Sequence, residues 1–403
     1  MRVCMVAYSF YESDSRIIQY ARALVHRGDV VDAIALRRPG APRFEVINGV
    51  NVYRIQQRKV NERGPLSYLY RILKFLFLAT VVLTVLHLKH RYQLVHVHSV
   101  PDLLVATSIP VRMLGVPVIL DIHDILPEFY ASKFGTKTDS LLYRMLLKAE
   151  RWSARRADHV IVANPLWYER LTHRAAPQEK CSVIANYPNP EVFHPRARTK
   201  TNGHFVLLYP GTLNWHQGVD VAVRAFARVR KELPGAEFRI YGEGPTKPSL
   251  KELVKELELN GSVKINDYLP IEQIADEMAV ADLGVVPKRA SSSFGNEATS
   301  TKIQEFMAVG VPLIVSRTRI DSLCFDDSKV KFFQSENEAD LADCILTLQR
   351  HPELRAQLVA NATAHIRENN WDVKKHEYLQ LVDSLTRSAH QPLPVVAGRE
   401  RGN

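Results

Sequence analysis

The sequence contains little cysteine, and what it has is dispersed. Four cysteines occur among 403 residues, no two form a Cys-x-x-Cys pair, and no histidines stand at zinc-ligand spacing beside them. A disulfide scaffold and a zinc module are therefore excluded, and we interpret the cysteines as reduced, mostly buried thiols. The first residues also lack the apolar core and small-residue cleavage site of a signal peptide. These absences predict a cytoplasmic protein.

The composition lacks the signs of disorder, since 46% of the residues are apolar and 24% are charged. The length predicts two or three domains, and we expect two. The charge is unbalanced, with 53 Lys and Arg against 43 Asp and Glu and a net charge of +10. Such a surface attracts nucleic acid, an anionic membrane or the phosphates of an activated metabolite. No helix-turn-helix, zinc finger or stacking motif is present, so we expect no nucleic-acid partner.

The most apolar stretch is too short to cross a membrane. Residues 75–86 form a run of twelve, FLFLATVVLTVL, whereas a transmembrane helix needs about 20 apolar residues. We favour a fully buried helix packed on a sheet. The alternative is a monotopic helix in the membrane interface, with the basic residues on either side of the run on anionic headgroups. The two interpretations are partly compatible with each other.

Short apolar strands alternate with amphipathic helices along the chain, which is typical of consecutive βαβ units. In the first half we predict helices at 15–26 and 138–156. The predicted strands are 2–8, 30–36, 94–98, 116–122, 160–163, 205–210, 237–241, 263–266, 283–286 and 313–316. The pattern predicts an α/β protein with two tandem, doubly wound, Rossmann-like domains facing each other across a cleft.

The composition of the connecting segments suggests where these domains begin and end. The predicted units are a first domain at 1–190, a linker at 191–203, a second domain at 204–370, a helix at 371–387 that packs back on the first domain, and a disordered tail at 388–403. Ligands of such sheets bind beyond the carboxyl ends of the strands. We therefore expect the functional residues at strand ends that face the cleft.

Two glutamates eight residues apart, Glu297 and Glu305, form one candidate site. Thr299, Ser300 or Thr301 can cap a helix that starts between the two glutamates, and the free N–H groups and positive dipole of a helix start suit a diphosphate. Lys302 adds a full charge. Glu305 can accept two hydrogen bonds from a vicinal diol such as ribose, and Glu297 can face a sugar ring. Alternatively, Lys302 and Glu305 form a solvated helix face and Glu297 is a loop charge.

A second candidate joins the first strand of the second half to a helix beginning near residue 219. Gly211 lets the backbone approach a phosphate closely, and Thr212 and Asn214 offer neutral hydrogen bonds. A tight strand-to-helix turn explains the glycines equally well, so both interpretations stay open.

These motifs resemble the GT-B glycosyltransferases of family 4, the retaining, metal-independent group. The Glu297/Glu305 pair with its trailing Ala-Val-Gly-Val-Pro carries the likeness. Further segments that look like one bacterial subgroup are YSFYESDSRIIQYARALVHRGDVVDAIAL, LVHVHSVPDLLVATSIPVRMLGVPVILDIHDILPEFYASKFG, RIYGEGP and DYLPIEQIADEMAVADLGVVP, and the resemblance covers about residues 1–385. That subgroup builds surface polysaccharides or glycolipids on the cytoplasmic face of the membrane, often on polyprenyl-diphosphate acceptors.

The resemblance implies roles for particular residues. Glu305 would hold the ribose of the donor, and Glu297 would contact the donor sugar. His123, at the end of a first-domain strand, matches a histidine at the reaction centre. The resemblance also places Gly211 and Thr212 at the donor diphosphate. The further donor-binding candidates, taken from the two motifs above, are Asn214, Ser300, Thr301 and Lys302. The candidates for the cleft and the acceptor are Asp14, Arg16, His98 and Asp124.

The sequence departs from the broader family pattern in three places. Thr212 and Gln217 stand where many members carry Arg and Lys, so Lys302, the helix N-terminus and Arg289 would supply the missing charge. The turn after the first strand lacks the Gly-Gly pair of the family. Phe294-Gly295 precede Glu297 instead of following it. No Asp-x-Asp metal motif occurs, so we expect no metal and no other cofactor.

The implied reaction moves a sugar from a UDP- or GDP-sugar to a hydroxyl of a lipid-linked saccharide with retention of configuration. One helix face carries four basic residues, Arg144, Lys148, Arg151 and Arg155. This face is either simply solvated or rests on anionic lipid. In the second case further basic residues would join it, namely Lys59, Arg63, Arg71, Lys74, Lys89 and Arg91. We therefore expect a peripheral protein on the inner face of the cell membrane. The alternative functions are a nucleotide-sugar-binding assembly subunit with little turnover and a nucleotide-sugar epimerase of the same fold.

Overall fold

Two parallel β-sheets, each covered by helices, organise the chain in the computed structural model, which describes residues 1–58, 65–134, 137, 139–196 and 204–388. The first sheet has the order β3-β4-β2-β1-β5-β6-β7-β8, and all neighbours are parallel except β3 and β4. Its strands are β1 (Arg2–Ala7), β2 (Val30–Arg37), β3 (Phe44–Ile47), β4 (Val50–Gln57), β5 (Leu94–His98), β6 (Val118–Ile122), β7 (His159–Val162) and β8 (Cys181–Val183).

Helices cover both faces of this sheet. They are α1 (Ser15–His26), α2 (Pro65–His90), α3 (Ile109–Met113), α4 (Leu126–Phe134), α5 (Leu141–Arg156) and α6 (Pro165–Arg174), with short 3-10 turns that include Asp102–Ser108. One apolar cluster joins the sheet to α2, α5 and α6, and a second joins its other face to α1. The consecutive βαβ order places the carboxyl ends of β1, β5 and β6 at one edge.

The second sheet is entirely parallel, with the order β11-β10-β9-β12-β13-β14. Its strands are β9 (Val206–Pro210), β10 (Glu237–Tyr241), β11 (Val263–Asn266), β12 (Leu283–Val286), β13 (Leu313–Ser316) and β14 (Lys331–Phe333). Its helices are α7 (Val219–Val229), α8 (Lys247–Glu256), α9 (Ile271–Val280), α10 (Ser293–Glu297), α11 (Thr301–Val309), α12 (Arg319–Cys324), α13 (Glu338–Arg350) and α14 (Pro352–Glu368), and α15 (Trp371–Ser388) follows them. The predicted pair of doubly wound α/β domains is confirmed.

All ten predicted strands form, with ends that shift by at most two residues. Four strands were missed, namely β3, β4, β8 and β14. β8 and β14 have three residues each, and β3 is an exposed edge strand, so none carries a long apolar pattern. The predicted helix at 138–156 begins only at Leu141, because the Ser140 hydroxyl caps it by accepting from the Tyr143 N–H at 3.2 Å. Residue 138, part of the linker (197–203) and the tail from 389 lie outside the described residues.

The apolar run 75–86 lies within α2, which is longer than the run, and it is not fully buried as we favoured. Ile72, Phe75, Ala79 and Leu83 pack into the core, but side chains on the opposite face of the helix are exposed. By length and composition alone, residues 67–90 would suffice to cross a membrane. The sheet beneath therefore covers only one side of an apolar helix.

The last helix, α15, returns to the first domain. Tyr378 is fully buried against Tyr20, with ring centroids 4.3 Å apart, and its hydroxyl lies 3.1 Å from His96 Nδ1. Burial holds the pKa of His96 well below its ordinary value, so this histidine is neutral. Arg27, which caps the end of α1, also pairs with Asp383 at 2.7 Å. The end of the chain thus completes the core of the first domain.

We expect Tyr378→Ala to lower the free energy of unfolding of the first domain by about 3 kcal/mol, because the change leaves a cavity and removes the partner of His96. Urea unfolding followed by circular dichroism measures the effect. Val373→Ala on the same helix is the control, since Val373 is exposed and its truncation should cost little. Equal stability of the two variants would contradict the packing of α15 described above.

Candidate active site

A cavity of about 260 Å³ opens at the carboxyl ends of β1, β5 and β6. This is the edge at which open α/β sheets bind ligands. The cavity is lined by Ala7, Tyr8, Ser9, Asp14, Arg58, Tyr68, His98, Ser99, Val100, His123 and Asp124. Four of the residues predicted from the sequence therefore come together in it, namely Asp14, His98, His123 and Asp124.

The buried carboxylate of Asp121 orders the polar groups behind this cavity. Its Oδ2 atom lies 3.1 Å from His123 Nε2 and 3.3 Å from His98 Nδ1. Arg16 donates to both carboxylate oxygens at 2.7 Å. Burial alone would raise the pKa of Asp121, but Arg16 and the histidines outweigh burial and hold it well below its usual range. The carboxylate is therefore ionised and fixes the His123 ring.

His123 differs from its neighbour in its protonation. Burial would lower the pKa of His123, but the Asp121 carboxylate outweighs burial and raises the pKa above its ordinary value. Burial dominates at His98 and lowers its pKa. Burial also raises the pKa of Asp124. The cavity thus presents a histidine that holds a proton readily beside a carboxyl group that ionises reluctantly.

Arg16 was predicted to face the acceptor, and this prediction is wrong. Its side chain is buried, and besides the Asp121 pair it donates to Asn186 Oδ1 at 2.7 Å. A buried guanidinium saturated in this way stabilises the site from inside and does not line the cavity.

On the second domain, the turn at Gly211 and the start of α11 meet beside Lys302. A Cβ atom on Gly211 would lie 3.0 Å from Lys302 Nζ, so the ammonium group rests on this turn. Lys302 Nζ is 3.4 Å from Gln217 Oε1 and 5.4 Å from the centre of the Tyr209 ring. Gly211 has a φ of 142°, a conformation that favours glycine. The turn and the cation lie together as the sequence motifs predicted.

The N-terminus of α11 carries unused polar groups. The structure confirms a helix start after Ser300, although the Ser300 hydroxyl makes no capping bond, and no partner is described for it or for the neighbouring Thr299 hydroxyl. Burial lowers the pKa of Lys302 to about 8 and raises the pKa of Glu305 above its ordinary value. A cation, free hydroxyls and a helix dipole at one point form a site for an anion. Thr212 is exposed and Asn214 half-buried in the adjacent turn.

Arg289 does not supply free charge to this site, contrary to prediction. Its guanidinium pairs with Asp220 at 2.5 Å and Glu336 at 3.0 Å, donates to the carbonyl of Trp215, and lies over the Trp215 ring. Two carboxylates already neutralise it.

Glu297 does not face an open sugar site, which corrects a third prediction. Its side chain is buried, and Arg170 of the first domain donates to its two oxygens at 2.5 and 2.6 Å. The reason lies in the short helix α10, whose Phe294 packs between the domains against Phe129, with ring centroids 5.2 Å apart. Ser132 and Ser292 also share a hydrogen bond of 2.8 Å across the interface. Glu297 therefore joins the two domains.

Within the described residues, His96, His98 and Asp121 have donor types that a metal could use. Arg16 holds the Asp121 carboxylate, and the Nδ1 atoms of His96 and His98 face Tyr378 and Asp121, whereas no partner is described for the two Nε2 atoms. The guanidinium beside the carboxylate also opposes a second cation. We therefore interpret this cluster as a hydrogen-bond network.

Sequence reasoning missed four residues of the site. Asp121 stands two positions before His123, and the period of a strand would have placed it on the same face. Arg58 and Tyr68 line the cavity from segments that the motifs did not include. Arg170 lies on α6, and nothing local in the sequence marks it as the partner of Glu297.

Both halves of the chain match known families. Residues 193–365 match the family described as glycosyl transferases group 1, and residues 15–187 match a glycosyl transferase 4-like domain. The chain belongs to the GT-B glycosyltransferases of the family 4 type. The family resemblance of the sequence is thereby confirmed.

Curated relatives align with parts of the chain. The alpha-D-kanosaminyltransferase of Streptomyces kanamyceticus is 24% identical over 264 residues, which are 62% of this chain and 66% of that protein. The amylovoran biosynthesis glycosyltransferase of Erwinia amylovora is 28% identical over 152 residues, which are 38% of this chain and 37% of that protein. The chain thus spans less than two thirds of the length of these relatives.

Solved structures share the whole fold. The sucrose-phosphate synthase of Thermosynechococcus elongatus has a TM-score of 0.81 at 18% identity and covers 96% of this chain and 100% of its own. Anabaena HepE in complex with UDP-glucose has a TM-score of 0.69 at 16% identity. It covers 95% of this chain and 100% of its own. At these identities the likeness establishes the GT-B fold.

We expect Arg170→Met to lower the free energy of unfolding by about 2 kcal/mol, because Glu297 would lose the group that compensates its buried charge. The matched control is Arg319→Met. Arg319 also faces Glu297, but at 3.6 Å, and its side chain is 54% exposed against 33% for Arg170. Thermal unfolding of the two variants measures the difference, and a larger loss for Arg319→Met would contradict the interface.

Proposed function

We propose that the protein is a retaining glycosyltransferase that moves a sugar from a nucleoside-diphosphate sugar to a hydroxyl of a lipid-linked saccharide, in the synthesis of a surface polysaccharide or glycolipid. The observation that carries the proposal is the meeting of Lys302, the Gly211 turn and the start of α11 in one anion site. We assign the donor to the second domain and the acceptor to the cavity of the first.

The donor diphosphate would lie against the N-terminus of α11, with Lys302, Thr301 and the free Ser300 hydroxyl around it. Glu305 lies one turn further along the helix, where its carboxylate can accept hydrogen bonds from both ribose hydroxyls. Gly211 leaves room for the Lys302 side chain because it carries no side chain of its own, and the ammonium group can therefore lie beside the phosphates. Lys302 and the helix dipole supply the positive charge that the family often obtains from an Arg and a Lys in this turn.

The catalytic step places charge on the leaving diphosphate and an oxocarbenium-like character on the sugar. A preorganised cation and helix dipole stabilise that charge, so the proposed reaction uses no metal. His123, oriented by Asp121 at 3.1 Å, donates a hydrogen bond to the reacting sugar or acceptor at the mouth of the first-domain cavity. The leaving phosphate takes the proton of the acceptor hydroxyl, which attacks the same face that the phosphate leaves.

Two relatives support the choice of substrates. HepE binds UDP-glucose in a structure of the same fold, which favours a nucleotide-sugar donor. The Erwinia amylovora relative acts in amylovoran biosynthesis, which favours a saccharide product. The lipid-linked acceptor follows from the family resemblance of the sequence.

We expect one member of a panel of UDP-, GDP-, ADP- and dTDP-sugars to raise the melting temperature of the protein, since a ligand that binds only the native state stabilises it. Glu305→Gln should lose this shift, because an amide accepts the two ribose hydrogen bonds poorly. Glu252→Gln is the control, because Glu252 is exposed on α8. Transfer to lipid extracts, measured with the stabilising donor, separates a transferase from a binding subunit. A panel without any shift would contradict the proposal.

Donor affinity should fall in alkaline solution. The pKa of Lys302 is lowered to about 8, so the ammonium is present below this pH and is lost above it. A bound diphosphate raises the pKa again, and the dissociation constant of the donor should therefore rise by up to about tenfold per pH unit above pH 8. Calorimetric titration with the intact sugar nucleotide measures this. Lys302→Arg keeps its charge and should show a flat profile, whereas an equally flat wild-type profile would contradict the role of Lys302.

A further inference from the structure

One face of α2 is apolar and uncovered. Its side chains recur every four residues and then after three, and they are between 45% and 69% exposed. They are Leu69, Leu73, Phe77, Val81, Val85 and Leu88. A surface helix of a soluble domain normally turns polar residues outward. An apolar stripe of this length on a domain surface marks an interaction site.

The two threonine hydroxyls within this stretch are satisfied inside the helix. The Thr80 hydroxyl donates to the Leu76 carbonyl at 2.8 Å, and the Thr84 hydroxyl donates to the Thr80 carbonyl at 2.7 Å. Neither hydroxyl therefore needs water as its acceptor. The helix can enter an apolar medium without losing these hydrogen bonds.

The start of α5, in the same layer of helices, also exposes apolar side chains. Leu141, Leu142 and Met145 are exposed there. Both α2 and α5 pack against the 3-10 helix Asp102–Ser108, so they lie in one layer of the first domain. The α2 stripe and these three residues of α5 together form what we term the docking face.

Basic residues predominate around the docking face, although the exposed Asp139 stands just before Leu141. No Asp or Glu occurs between residues 65 and 93 or between 141 and 149. Exposed cations stand along both helices, namely Lys74, Lys89, Arg91, Arg144 and Lys148. A second copy of the chain would bring like charges together, whereas anionic headgroups would neutralise them.

The helix cannot cross a bilayer while the domain stays folded. Phe75, Ala79 and Leu83 are fully buried in the core beneath it, and Phe75 lies 5.1 Å from Tyr8 between ring centroids. Crossing the bilayer would remove these three residues from their contacts with the sheet. We infer that the first domain docks on an anionic bilayer through the docking face, with α2 lying in the plane of the interface.

Docking also orients the candidate active site. Tyr68, in the first turns of α2, lines the cavity that holds His123. The same helix therefore connects the docking face to the cavity, and an acceptor with a lipid tail can present its head group without leaving the bilayer. This last step rests on the proposed function, whereas docking itself requires neither donor nor acceptor.

Flotation of the full chain with sealed vesicles of phosphatidylcholine, with and without phosphatidylglycerol, tests the inference. We expect binding that needs the anionic lipid and weakens with salt. Leu73→Gln/Phe77→Gln should weaken the partition at least ~10-fold, because two apolar side chains no longer leave water. Leu323→Gln/Val373→Gln is the matched control, since both residues are exposed on other surfaces, and it should bind like the wild type.

Charge and topology are tested separately. Lys74→Glu/Lys148→Glu should abolish the preference for anionic lipid, and a protease added outside should reach both termini. A terminus protected inside the vesicle would overturn the in-plane arrangement.

The docking itself is overturned by a wild type that fails to float, or by a Leu73→Gln/Phe77→Gln protein that floats as well as wild type. A dimer in gel filtration that this variant dissociates would assign the face to a second copy. Since the donor thermal shift needs no lipid, its failure is distinguishable from a failure of docking.

Discussion

The buried carboxylate of Asp121 is the constraint on which the first domain depends. A negative charge taken out of water costs several kcal/mol unless a partner compensates it, and here Arg16 of α1 reaches both oxygens at the end of β6. The pair fixes α1 against the sheet. The carboxylate then holds His98 and His123, one on β5 and one just after β6. The ion pair of Arg16 with Asp121 thereby links the core of the domain to the protonation of His123, which lines the cavity.

The second constraint lies between the domains. Arg170 of the first domain occupies both oxygens of Glu297 of the second domain, and this ion pair fixes one domain against the other. Lys302 and Glu305 are not held in this way, since no residue of the first domain is described in contact with them. The anion site that we propose for the donor is therefore independent of the ion pair that joins the domains.

Local signals explain what the sequence could predict. The alternation of strands and helices, the start of α11 after Ser300 and the placement of His123 all follow from patterns within a few residues. The errors come from long-range packing. Arg170 and Glu297 are 127 residues apart in the chain, and only the fold of both domains brings them together. Arg289 likewise looks like a free cation in the sequence, because Asp220 and Glu336, which neutralise it, are distant from it in the chain.

The basic residues of the protein fall into two groups, those that an acidic partner neutralises and those without an acidic neighbour in the chain. Those that hold the fold are neutralised: Arg16 by Asp121, Arg174 by Glu128 and Glu150, and Arg170 by Glu297 and Glu128. Basic residues of the docking face stand on stretches of the chain that contain no acidic residue at all. Part of the excess charge therefore lies beside exposed leucines and a phenylalanine, where water is a poor solvent for the apolar groups and an anionic interface suits both. Composition alone permitted nucleic acid, membrane or metabolite as the partner, and the apolar neighbours of these charges favour the membrane.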